Sequence, residues 1–70
     1  MERQSVDSEM IKSMGYDPDT STLEIEFNND AIWQYYDFPE SLWFGFENAG
    51  SKGRFFNQEI RNQYRESRIG

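Results

Sequence analysis

Residues 22–27 read Thr-Leu-Glu-Ile-Glu-Phe, and their alternation is strict. Leu23, Ile25 and Phe27 fall on one side, and Thr22, Glu24 and Glu26 on the other. Side chains alternate across a strand, so a period of two describes a strand with one face buried and one polar face in water. Asn28-Asn29-Asp30 follows as a hairpin turn, since Asn and Asp tolerate the positive φ that tight hairpins demand. The return strand is Ala31 to Phe38, AIWQYYDF. Both of its faces are apolar, with Ile32, Tyr36 and Phe38 on one and Trp33 and Tyr35 on the other. Pro39 ends it, because proline cannot donate to the ladder.

The flanking segments extend this pair. Residues 9–16, EMIKSMGY, are strand-like, and Gly15 marks a bulge or a close approach. Asp17-Pro18-Asp19-Thr20 fits a type I turn. Residues 1–5 are expected to fray, leaving a single domain over 6–70. After Pro39 the spacing of Leu42, Trp43, Phe46 and Ala49 predicts a short helix to about Asn48. Residues 49–53 form a turn, with Gly50 as C-cap and Ser51 as N-cap. A second helix is expected over Arg54 to Ser67, with Phe56, Ile60, Gln63 and Tyr64 along one side. The expected architecture is α+β: a three-stranded antiparallel meander followed by two helices packed on one of its faces.

Composition decides whether such a chain folds and what chemistry it can carry. Leu, Ile, Val and Phe make only 14 of 70 residues, a border case for a folded domain. Twelve aromatic rings tip the balance toward folding: six Phe, four Tyr and two Trp supply large core pieces to a domain too small for a deep core. There is no Cys and no His. Disulfides, thiolate or imidazole metal sites and Ser-His or Cys-His nucleophile pairs are therefore excluded. No catalytic set, metal site or cofactor is expected. Glu24 and Glu26 share a solvated strand face rather than a cleft, and Asp17-Pro18-Asp19 lacks the Gly and Glu of a calcium loop. No apolar run approaches a membrane span and no signal segment is evident, so a cytoplasmic protein without membrane contact is the plain expectation.

Charge is divided unevenly. The net charge is -6, yet residues 1–51 hold Arg3 and Lys12 against eleven acids, while residues 52–70 hold five cations against Glu59 and Glu66. Arg54, Arg61, Arg65 and Arg68 are separated by 7, 4 and 3 positions. On one helix they would fall within roughly 60° of each other. With Lys52 they form a candidate phosphate-binding stripe for RNA or other nucleic acid. The competing reading is a solvated helix face favoured by the helix dipole and attracted to the acidic sheet. Ser51-Lys52-Gly53 at a helix start offers N–H groups to a phosphate, but lacks the spacing of a nucleotide loop and reads equally as an interhelix turn.

The order of motifs resembles the KTSC domain, a small domain found at the C-terminus of some lysyl-tRNA synthetases and alone in bacterial proteins. The residues carrying the resemblance are Val6-Asp7-Ser8, Ile11 through Met14-Gly15-Tyr16-Asp17, Leu23 to Phe27, Trp33-Gln34-Tyr35-Tyr36-Asp37-Phe38-Pro39, Ala49 to Asn57, and Ile60-Arg61. They span about residues 6–64. Asn29-Asp30 stands where the family tends to have Gly, and Trp33 where Tyr is usual. The resemblance implies no catalytic residues, and its synthetase context prompts nucleic-acid binding.

Trp33 and Tyr35 are the second candidate surface. If the helices cover the opposite face, these rings lie open on the sheet, able to stack bases or to anchor a protein partner or a second copy of the chain. If the faces are reversed, they are core.

Overall fold

A computed structural model describes residues 1–70. Five antiparallel strands lie in chain order: β1 (Gln4–Ser5), β2 (Ile11–Asp17), β3 (Thr22–Phe27), β4 (Ile32–Tyr35) and β5 (Glu66–Arg68). Between β4 and β5 run α1 (Glu40–Glu47), α2 (Lys52–Phe55) and a π-helical turn over Phe56–Ile60. The α+β class stands, but the meander has five strands rather than three. The two additional strands come from the start expected to fray and from residues expected to continue the second helix.

Register explains which sheet face the helices cover. Leu23 pairs with Tyr35 and Ile25 with Trp33. The N–H of Phe27 donates to the carbonyl of Ala31 at 2.9 Å, closing a three-residue loop with Asp30 at φ 70°. Paired residues point to the same side of a sheet, so Trp33 and Tyr35 join Leu23, Ile25 and Met14 against the helices. Of the two face assignments left open by the sequence, this is the one with Trp33 and Tyr35 on the core side; Ile32 and Tyr36 lie on the outer face. Phe38 still reaches the core because Asp37 takes φ 55° and breaks the alternation. The core comprises Ile11, Met14, Leu23, Ile25, Tyr35, Phe38, Phe46, Phe56 and Ile60.

The helical segment is short and aromatic. Leu42, Trp43 and Phe46 pack inward as their spacing predicts. Trp43 stacks on Tyr16 with centroids 5.7 Å apart, and Phe46 on Phe55 at 5.1 Å. Ser51 caps α2 as expected, its hydroxyl accepting from the Arg54 N–H at 3.2 Å. The C-cap of α1 is Asn48 rather than Gly50. Lys52 completes that end, its ammonium donating to the carbonyls of Glu47 at 2.9 Å and Ala49 at 2.7 Å, which answers the unpaired acceptors of a helix C-terminus.

The long second helix does not form. The Arg61 N–H donates to the Phe56 carbonyl at 2.8 Å, a five-residue closure that turns both Phe56 and Ile60 into the core. Arg61 then leaves helical geometry at ψ 123° and Asn62 takes φ 61°, a left-handed conformation that Asn accepts more readily than most residues. The chain reverses and runs back along β4 as β5.

The polar sheet face is not in water. Glu24 is 4 % exposed. Its carboxylate accepts from the Arg3 guanidinium and from Gln34 Nε2 at 2.8 Å. Arg3 Nε also donates to Ser13 Oγ at 2.9 Å, and Ser13 Oγ donates to Glu26 Oε1 at 3.0 Å. This network holds the N-terminal segment across the back of the sheet. Gly15 permits the approach, because a Cβ there would collide with the Glu2 carbonyl oxygen.

Candidate nucleic-acid interface

With the helical stripe gone, its five cations go to different places. Lys52 caps α1. Arg54 stays exposed on α2, beside a depression shared with Asp7, Glu9, Ser51 and Gly53. Those two acids offset the cations there, and a four-residue helix contributes little dipole. Arg65 lies on the outer face, 3.5 Å from Asp37 and stacked over the Tyr36 ring at 5.3 Å. Arg61 and Arg68 follow a third course, and they meet the aromatic candidates.

The return of the chain builds a cleft where β4, β5 and the π turn converge. It has a volume of about 380 Å³ and is lined by Met10, Phe27, Trp33, Tyr35, Phe56, Arg61, Asn62 and Glu66. Within this lining Phe56 is edge-on to Phe27 at 5.2 Å and to Tyr35 at 5.9 Å. Trp33 is half-buried and offers part of its indole to the opening. Arg68 pairs directly across from Trp33 on β5, so its side chain leaves the sheet on the same side as the indole.

The polar groups of this cleft, and Arg68 beside it in register with Trp33, are largely unengaged. The Arg61 guanidinium donates only to Asn57 Oδ1, at 3.3 Å. Arg68 Nε donates to the Gly70 carbonyl at 2.8 Å, which leaves its two terminal nitrogens open. Neither Arg61, Arg68 nor Glu66 takes part in any of the molecule's ion pairs. Tyr35 is 2 % exposed. The hydroxyls of Tyr16 and Tyr36 have protein acceptors in Phe38 O and Gln34 Oε1, but that of Tyr35 has none. Because no enclosed polar atom in the molecule lacks a partner, the Tyr35 hydroxyl must meet the solvent of the cleft. Burial, reinforced by the Glu66 carboxylate, pushes its pKa upward and keeps it a protonated donor.

Neither Trp33 nor Tyr35 is thus an open platform: Tyr35 is a core residue that touches the cleft from beneath, and Trp33 is the half-buried ring of its wall. Sequence reasoning did not find Phe27, Asn62 or Glu66 as its neighbours. The alternation of β3 carried a signal for Phe27; the polar pair carried none, because β5 itself was not foreseen. The chain gathers no cluster of acidic side chains able to hold a metal ion, and no helix is long and apolar enough to cross a membrane.

Comparison with known proteins agrees with this architecture. The KTSC domain model matches residues 7–64. The crystal structure of a KTSC domain protein from Yersinia pestis superposes with a TM-score of 0.96 at 43% identity, covering 99% of this chain and 97% of that one. An uncharacterised protein of Stutzerimonas stutzeri (strain A1501) is 39% identical over 70 residues, 99% of each chain. A lysine–tRNA ligase of Nostoc sp. (strain PCC 7120) is 34% identical over 59 residues. That match takes in 84% of this chain but only 10% of the ligase.

Proposed function

The chain belongs to the KTSC domain family, and from that premise we propose that it is a non-catalytic module that binds single-stranded nucleic acid, RNA first, in the cleft between β4, β5 and the π turn. The observation that carries this reading is the placement of Arg61 and Arg68 beside the half-buried Trp33. A base stacks on the indole, a sequence-tolerant contact worth about 1–3 kcal/mol, and the two guanidinium groups reach phosphates on either side of it. Glu66 is the single acid among the residues lining the cleft, so the net charge of -6 does not describe this surface. The relatives named lysine–tRNA ligase support the choice of RNA, since a domain of this family occurs in proteins that handle a tRNA.

Protein interaction or self-association through Trp33 and Tyr35 is the weaker reading, because Tyr35 offers almost no surface to a partner. Titration of labelled single-stranded RNA at two salt concentrations tests the proposal. Affinity should fall steeply with salt and vanish in the Arg61→Glu/Arg68→Glu variant. Unchanged binding by that variant contradicts it.

A further inference from the structure

β5 is the last strand of the sheet, and only β4 pairs with it. The Tyr36 N–H donates to the Arg65 carbonyl at 2.9 Å, and the Ile69 N–H to the Ile32 carbonyl at 2.8 Å. Backbone groups alternate sides along an antiparallel ladder. Arg65, Ser67 and Ile69 therefore turn theirs toward β4, while Glu66 and Arg68 turn theirs outward. The outward groups join none of the turn and loop hydrogen bonds, and all three residues of β5 are exposed. Charged side chains commonly keep such an edge from pairing with another chain. Here the two residues with free backbone groups carry opposite charges, and neither is engaged in an ion pair.

We infer that β5 pairs with β5 of a second copy, antiparallel about a two-fold axis at Ser67, joining two five-stranded sheets into one. In that register Glu66 lies opposite Arg68 of the second copy, and Arg68 opposite its Glu66. Each pair brings outward N–H and C=O groups together and sets a carboxylate against a guanidinium. A shift of two residues either way also opposes outward groups, but it places Glu66 against Glu66 or Arg68 against Arg68. Like charges directly opposite are destabilising, so the strand's own sequence selects one register. Arg65 then lies across from Ile69 of the second copy, where its aliphatic stem covers a residue that is 52% exposed in the single chain. The other sheet edge, Gln4–Ser5, carries no such charge pattern, and joining it to β5 would give a head-to-tail contact that need not close. Arg68 keeps its place beside the cleft: with Nε committed to Gly70, its terminal nitrogens have donors for both a carboxylate and a phosphate. This surface is separate from the Trp33 and Tyr35 face, and its pairing needs no RNA.

A strand pair this short makes a weak dimer. The test is sedimentation equilibrium without RNA, at low salt, from about 10 μM to about 1 mM protein. The weight-average mass should climb toward twice the monomer value. Glu66→Arg and Arg68→Glu each set like charges opposite and should weaken association about tenfold or more. Circular dichroism checks the fold at these exposed positions. Mixed in equal amounts, the two variants should associate as the parent does, because one presents two cations to the other's two anions. The exchanged variant Glu66→Arg/Arg68→Glu should associate on its own. A parent protein that stays monomeric throughout overturns the dimer. Single variants that associate like the parent put the interface elsewhere and overturn the role of β5. A mixture or an exchanged variant that stays monomeric overturns the register about Ser67.

Discussion

Arg68 on β5 lies directly across from Trp33 on β4. That pairing is the product of two local events: the π turn that ends the helical segment at Ile60 and the left-handed Asn62 that reverses the chain. Without them the arginines would run along a helix, remote from the indole. With them, cation and ring share one face of the sheet beside Arg61, and the cleft acquires an aromatic wall with two guanidinium groups near it.

Removing the charges should change the salt response as well as the affinity. Each phosphate contact on a single strand contributes a slope of about 0.7 in log K against log salt. Replacing Arg61 and Arg68 by Gln should therefore reduce that slope by roughly 1.4, whereas replacing Arg54 or Lys52 should leave it unchanged. Titrations at several salt concentrations measure it.

The two tryptophans should separate binding from stability. Trp33→Ala should weaken RNA binding by about 1–3 kcal/mol, the worth of one stacked base. Trp43 stacks on Tyr16 and is not among the residues lining the cleft. Trp43→Ala should lower the thermal midpoint while leaving affinity at a temperature below unfolding within about twofold. Anisotropy and thermal denaturation, run on both variants, check the contrast.

The N-terminal segment should behave as one unit with the back of the sheet. Arg3→Ala leaves the nearly enclosed Glu24 carboxylate with Gln34 as its remaining side-chain donor. The expected loss is about 1–3 kcal/mol in urea denaturation. Gly15→Ala forces a methyl group onto the Glu2 carbonyl and should displace the same segment. Because the two changes remove the same contacts, the double variant should lose less than their sum.

Alkaline pH should destabilise the fold through Tyr35. Burial raises its pKa above the ordinary tyrosine value of 10.0, and Tyr64 is raised in the same direction. Above that pH the unfolded chain releases protons that the folded chain retains, so the unfolded state binds fewer protons and stability falls as pH rises. The decline should begin near pH 10 and continue while Tyr35 stays protonated in the fold. Tyr35→Phe, compared with the parent by urea denaturation at about pH 9 and about pH 11, should show a shallower decline.

Much of the sheet was legible in the sequence, and the candidate site was not. The alternation of Leu23, Ile25 and Phe27 locates β3, and the three-residue loop after it already implies that Phe27 faces Ala31. Carried one step further, that parity puts Trp33 and Tyr35 on the core side with Ile25 and Leu23. Ile32, Tyr36 and Phe38 obscure this, because they look like one face until Asp37 breaks the alternation at φ 55°. At the other end, the spacing of Arg54, Arg61, Arg65 and Arg68 suits a helix, and no Gly or Pro interrupts residues 54–69. Asn62 is the only local hint of a reversal. A three-residue strand of Glu-Ser-Arg has no alternation to read, since all three residues are exposed. Its position is set by pairing with β4, a tertiary fact.

The two indole N–H groups give the most direct test of the central claim. In a proton–nitrogen correlation spectrum, a short single-stranded RNA should shift the Trp33 indole resonance and the backbone amides of Arg61, Asn62 and Glu66. The Trp43 indole should stay within the scatter of the unperturbed residues. A titration that leaves Trp33 unmoved, or that moves only the α1 and α2 amides around Phe44 and Arg54, contradicts the cleft as the binding site.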